Sequence, residues 1–203
     1  ECGDQFGRVL HHHALAALAR GGVVGGVEGI GGVPAQARRV GGVPAGLLHQ
    51  LCGASEDADT LARHERKLRW AAMLHEIGSL VSHSDYHKHG AYILDNADAA
   101  GFALPELHRL GLLVLGHRGK LRKLEAELGD EDFVHQLLCL RLAVILCHAR
   151  RDPDLDGVTL DARRGGFRLT LRPDWARDFP QSGHLLREEC VAWQKTPWSL
   201  SLA

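Results

Sequence analysis

From Asp130 to Arg150 the sequence reads DEDFVHQLLCLRLAVILCHAR, and this stretch limits the fold more than any other. Phe133, Leu137, Leu138, Leu140, Leu142, Val144, Ile145 and Leu146 leave almost no polar face. A helix apolar on so many sides belongs in a core rather than on a surface. Arg141 stands in the middle of it, and a buried guanidinium requires an anionic or hydrogen-bonding partner. The spacing alone does not say which residue that partner is.

Other helices precede it. Asp57 or Asp59 is placed to cap a helix running to about Ile77, because its carboxylate can accept the free amide protons of a first turn. Leu61, Leu68, Ala71, Ala72 and Leu74 form its apolar stripe. Arg63, Arg66, Lys67 and Arg69 occupy the other face and read as a solvated surface. His87–Ala97 reads as a second helix and Pro105–Leu115 as a third, followed by the basic segment HRGKLRK. After Pro153 the pattern changes: Gly157–Ala162 and Phe167–Arg172 alternate around a glycine turn, as strands of a hairpin do. His184–Gln194 is an amphipathic helix and Trp198–Leu202 a closing strand. Residues 1–53 are the least regular, with Gly-Gly-Val repeated and two prolines, so they read as a lead-in carrying short helices around 35–40 and 45–52. The expected architecture is mainly α. An all-α part spans 54–152, and a small α+β part spans 153–203.

Composition sets further bounds. The formal net charge of −1 excludes a basic coat for nucleic acid, so any polyanion must be held by a local patch. No apolar run approaches the roughly 20 residues that span a bilayer. Five cysteines, none in a CxxC pair, with Cys139 and Cys147 inside an apolar helix, suit reduced thiols and a cytoplasmic protein. The opening ECGDQFGRVLHHH lacks an initiator methionine and reads as a piece of something longer or as vector residues; His11–His13 receives no function.

The unusual chemistry lies in RWAAMLHEIGSLVSHSDYHKHGAYIL, residues 69–94. His75, Glu76, His83, Asp85, His87 and His89 fall within fifteen residues between apolar helices. They suit a metal-ligand constellation, the remnant of one, or an anion-facing surface. Protonation of His83, His87 and His89 would strengthen anion binding as pH falls.

The His-Glu pair before a glycine turn resembles the HD superfamily, whose helical domains hold metal through spaced His, His-Asp and Asp ligands. His49, His75 and Glu76 would then mark a vestigial metal site, with His87, His89 and His117 as further donors. Two departures stand out: Glu76 replaces the usual Asp, and Val144 stands where active relatives place an Asp. A valine cannot ligate a cation. In order along the chain, QARRV, LRWAAMLHEIG, HSDYHKHGAYIL, HRGK, LRLAVIL and the terminal SLSL more specifically resemble the C-terminal half of the exopolyphosphatase/guanosine pentaphosphatase family. The resemblance covers about Gln36 to Ala203, and the exopolyphosphatase branch looks the closer.

That resemblance implies an HD-like helical domain followed by a small α+β domain. It implies no catalytic residue in this chain, since the family's chemistry resides in N-terminal actin-like domains, for which magnesium is expected. This part would bind inorganic polyphosphate and contribute to a homodimer. The binding residues would be His117, Arg118, Lys120, Arg122 and Lys123 with His87, Lys88 and His89, and secondarily Arg63, Arg66 and Lys67, since Arg and Lys suit phosphate oxygens. The alternatives are the same region of a guanosine pentaphosphate phosphohydrolase, a free-standing metal-dependent HD phosphohydrolase, and an interaction module without ligand.

Overall fold

The computed structural model describes residues 35–52, 56–97, 99, 101–148, 153 and 155–203; the Gly-Gly-Val lead-in before residue 35 and His11–His13 lie outside them. Helices α1 (Ala35–Cys52), α2 (Ala58–Leu74), α3 (Tyr86–Asp95), α4 (Leu104–Gly116) and α5 (Glu131–Leu146) come first. Short 3-10 helices at Ile77–Leu80 and Leu121–Glu127 join them. Strands β1 (Val158–Arg163) and β2 (Gly166–Leu171), helices α6 (Trp175–Asp178) and α7 (Pro180–Trp193), and strand β3 (Ser199–Leu202) complete the chain.

The two short helices expected at 35–40 and 45–52 are one continuous helix, α1, that runs through Gly41, Gly42, Pro44 and Gly46. Proline inside a helix costs about 3 kcal/mol and each glycine about 1 kcal/mol. Val40, Leu47 and Leu48 are fully buried and Val43 nearly so. At about 1.5–3 kcal/mol for each such side chain, tertiary burial outweighs local propensity.

Helix α2 starts where the sequence places it. Asp57 Oδ1 accepts from the amides of Asp59 at 3.1 Å and Thr60 at 2.9 Å. Helix α5 is capped in the same way by Asp130, whose Oδ1 accepts from the Phe133 amide. Phe133, Val134, Leu137, Leu138, Leu140 and Leu142 are all fully buried, so α5 is the central rod. One continuous apolar core extends from Val40 on α1 to Leu200 on β3, across the 153 boundary.

The hairpin pairs antiparallel from Val158↔Leu171 to Arg163↔Gly166, turning at Arg164-Gly165 with Gly165 at φ +74°. Strand β3 adds parallel to β2, giving the order β1-β2-β3. Phe167 stacks on Trp198, with ring centroids 5.5 Å apart, and Trp198 Nε1 donates to the Leu128 carbonyl at 2.8 Å. These contacts seal the sheet against the helices.

Candidate functional site

Helices α2 and α4 end side by side, and each finishes in a histidine. His75 follows the last residue of α2, and its Nδ1 lies 2.6 Å from the Ala72 carbonyl. His117 follows α4, with Nδ1 2.6 Å from the Val114 carbonyl. A carbonyl can only accept, so each ring carries its proton on Nδ1 and turns Nε2 outward as an acceptor. Tyr86 at the start of α3 donates its hydroxyl to His117 Nε2 at 3.3 Å. The two imidazoles meet edge to face, their centroids 5.2 Å apart. Burial holds both pKa values below the ordinary histidine range, and for His117 the neighbouring His75 adds to the effect. Both rings are therefore neutral near pH 7.

These residues line a cavity of about 550 Å³. Glu76, Arg118 and Arg141 line it together with His148, Glu188 and Glu189. Arg141 answers the question its sequence position raised. Its Nε and Nη2 donate to the two Glu189 oxygens at 2.5 and 2.7 Å, and Nη1 donates to the carbonyls of Gly116 at 2.6 Å and Gly119 at 3.2 Å. Trp193 Nε1 also donates to Glu189 Oε1, at 2.7 Å. The guanidinium thus joins α5, the loop after α4, and α7.

At the mouth of the cavity the chain turns through Gly119 at φ +76°, a conformation that costs glycine nothing. A side chain built there would point between Lys123 Nζ, 3.5 Å away, and His87 Nε2, 3.9 Å away. Arg118 lies over the Tyr86 ring at 4.9 Å, a cation–π distance. Lys123 donates to the Arg118 carbonyl at 2.8 Å. Its ammonium pKa is pushed down to about 8, first by burial and then by Arg141, Lys88 and Arg118. Burial, with Lys123 and Arg118, likewise lowers His87 to about 4, and His87 Nδ1 is buried with no hydrogen-bond partner among the described residues. Arg118, Lys123 and Lys88 thus gather around a neutral His87, with the Asp85 carboxylate opposing them.

The residues singled out from sequence are thus distributed unevenly. His117, Arg118, Lys123 and His87 converge on the Gly119 turn, whereas Lys120 and Arg122 are exposed farther along the same loop. His117 is a buried wall rather than an exposed loop residue. Lys88 is exposed and paired with Asp85 at 2.9 Å, and His89 is half-buried on α3. His87, with a pKa of about 4, does not charge between pH 8 and 6, so it cannot supply the pH response expected of it. Arg63 and Arg66 are exposed on α2, with Arg66 lying over Trp70.

His49 does not join His75 and Glu76. It is exposed and pairs with Glu65, ten residues before His75 on α2, a separation of about 15 Å along the helix. Cavity residues that sequence spacing missed are Tyr86, His148, Glu188 and Glu189. Only the buried Arg141, which demanded an anion, pointed toward Glu189. The lining offers imidazoles and a few carboxylates beside two guanidinium groups, which cannot ligate a cation, and so does not fit the all-oxygen octahedron that magnesium takes.

No helix among the described residues is long and apolar enough to cross a membrane. A sequence profile for "Ppx/GppA phosphatase, domain III" matches residues 34–189. The guanosine-5'-triphosphate,3'-diphosphate pyrophosphatase of Pseudoalteromonas translucida is 35% identical over 132 residues, covering 64% of this chain and 27% of that protein. Proteins of the same name from Aeromonas hydrophila and Vibrio cholerae are 33% and 35% identical, over 66% and 68% of this chain and 28% of their own lengths. The chain therefore spans little more than a quarter of these relatives. Their names belong to the guanosine branch, not to the exopolyphosphatase branch that the motifs favoured.

Proposed function

The chain belongs to the Ppx/GppA phosphatase family, as its domain III, and from that premise we propose that it grips the substrate of an enzyme hydrolysing guanosine-5'-triphosphate,3'-diphosphate. The observation that carries this reading is the mixed polarity of the cavity. Arg118 on its lining and Lys123, whose Nζ lies beside the Gly119 turn, are cations suited to phosphate oxygens. On the same lining, the half-buried Glu76, the exposed Glu188 and the Nε2 of His75 are acceptors only. A guanine base offers N–H donors to such acceptors, whereas an inorganic polyphosphate chain offers none and would be repelled by the two carboxylates.

Within this reading the chain binds and orients; the bond-breaking water and any metal that activates it belong to the catalytic part of the enzyme. Arg118 and Lys123 hold phosphate, the neutral His75 and the carboxylates take the base, and the Arg141–Glu189 pair fixes the wall between them. Calorimetric titration of this chain with guanosine-5'-triphosphate,3'-diphosphate and with long-chain polyphosphate tests the assignment. The nucleotide is expected to bind more tightly. Arg118→Ala and Lys123→Ala should each weaken it by about tenfold or more, as loss of a charge-assisted contact does. Tighter binding of polyphosphate, undiminished by Glu188→Gln, would return the chain to the exopolyphosphatase branch.

A further inference from the structure

A second group of ionisable side chains lies at the other end of α5, away from the cavity. Glu56 leads into the cap of α2, His64 is on α2, and Asp132 is in the first turn of α5. One ligand atom from each lies within 4.8 Å of the other two. His64 is buried, its Nδ1 3.4 Å from Glu56 Oε2 and its Nε2 3.7 Å from Asp132 Oδ2. Glu56 Oε2 is itself buried and has no hydrogen-bond partner among the described residues. No lysine or arginine among the described residues pairs with either carboxylate.

We infer that Glu56, His64 and Asp132 form a binding site for a divalent transition metal ion of the zinc class. Two carboxylate oxygens and one imidazole nitrogen make the mixed donor set that zinc and cobalt accept, with water completing the shell. Metal–ligand bonds of about 2.0–2.2 Å require the three atoms to close by roughly 1 Å, within the reach of rotamer adjustment for glutamate and the half-exposed Asp132. The surroundings are built to orient them. Cys52 is buried beside His135, with Sγ 3.3 Å from its Nδ1, and hydrogen-bonds to Glu56. An ion here would staple Glu56, α2 and α5 together, adding to the apolar packing, the His49–Glu65 pair and the Cys52–His135 hydrogen bond that already link α1, α2 and α5.

The test uses this chain after dialysis against a chelator, titrated with Co2+ and followed by visible absorption, with Zn2+ as competitor. One Co2+ per chain is expected, displaced by Zn2+, together with a rise in thermal midpoint when Zn2+ is present. Asp132→Asn, a half-exposed change that leaves the core alone, should weaken Co2+ binding by tenfold or more; His64→Ala should abolish it. His75→Ala, in the cavity wall, should leave the stoichiometry at one. Absence of binding at micromolar Co2+, or binding lost in His75→Ala but intact in Asp132→Asn, would overturn the assignment. None of these readouts involves nucleotide, so they stand or fall apart from the cavity's proposed role.

Discussion

Helix α5 carries a histidine-containing cluster near each end, and the two differ in what they lack. Asp132 at its start and Arg141 in its second half are nine residues, about 14 Å, apart along one rod. Around Arg141 the histidines sit among cations: Lys123 and Arg118 lower His87, and the ammonium of Lys123 falls to about 8. Around Asp132 the histidine sits among carboxylates: burial lowers His135, but Glu131, Asp132 and Glu56 oppose the shift. The same residue type thus faces cationic side chains at one end and carboxylates at the other. The charge of neighbours brought in by other helices, not the histidine itself, decides the ligand.

The sharpest way to break this contrast is to remove what separates the two environments. Arg141→Met leaves Glu189 buried and unpaired, and should cost about 3–5 kcal/mol in urea denaturation. Arg141→Met combined with Glu189→Leu should recover much of that loss, because no stranded charge remains. Gly78→Ala tests how closely the cavity wall is packed. Its new Cβ would lie 1.9 Å from the Tyr86 carbonyl oxygen and 2.4 Å from the Gly90 nitrogen. Helix α3 must therefore move, at about 1–3 kcal/mol, with a loss of nucleotide binding because Tyr86 and His87 move with it.

Acid should act on the cationic end first. His75, His87 and His117 have folded pKa values below the unfolded value, so between about pH 6.5 and pH 4 the unfolded chain binds protons that the folded chain refuses. Stability should therefore fall as pH drops through that window, as read from chemical denaturation at successive pH values. Lys123 gives a smaller, opposite-facing signal. Because its pKa of about 8 rises when an anion arrives, nucleotide binding at pH 8–9 should take up protons. Calorimetry in two buffers of different ionisation enthalpy measures that uptake, and Lys123→Met should abolish it. The smallest effect is expected at the acidic end. Without metal, Asp132→Asn should change stability by no more than about 0.5 kcal/mol, since the side chain is half-exposed and its removal relieves repulsion. With Zn2+ present the same substitution should become destabilising, because the metal's contribution to the folded state is lost.

Much of the fold can be read directly from local signals. Asp57 and Asp130 each cap a helix through a carboxylate that reaches its own first turn, a contact fixed within three residues. The hairpin around Arg164-Gly165 is likewise local. Helix α1 could not be read in this way, because its glycines and Pro44 argue against a helix until Val40, Leu47 and Leu48 are buried by distant segments. The cavity was half legible. The basic loop at 117–123 and His87 stood out by composition, but Tyr86, Glu188 and Glu189 reach it only through α3 and α7. Glu56, His64 and Asp132 gave no signal, being spread over 77 positions of the chain.

What the sequence determined unaided was periodicity and punctuation: which segments are helices, where they begin, and that one central helix had to be buried with an arginine inside it. Such information is short-range, carried by hydrogen bonds and side-chain spacing within a few residues. Tertiary structure alone decided the partner of Arg141, the neutral state of His75 and His117, and the opposite charge surrounding the two ends of α5. Those depend on burial and on Coulomb interactions between residues far apart in the chain, which come close only once the core has formed.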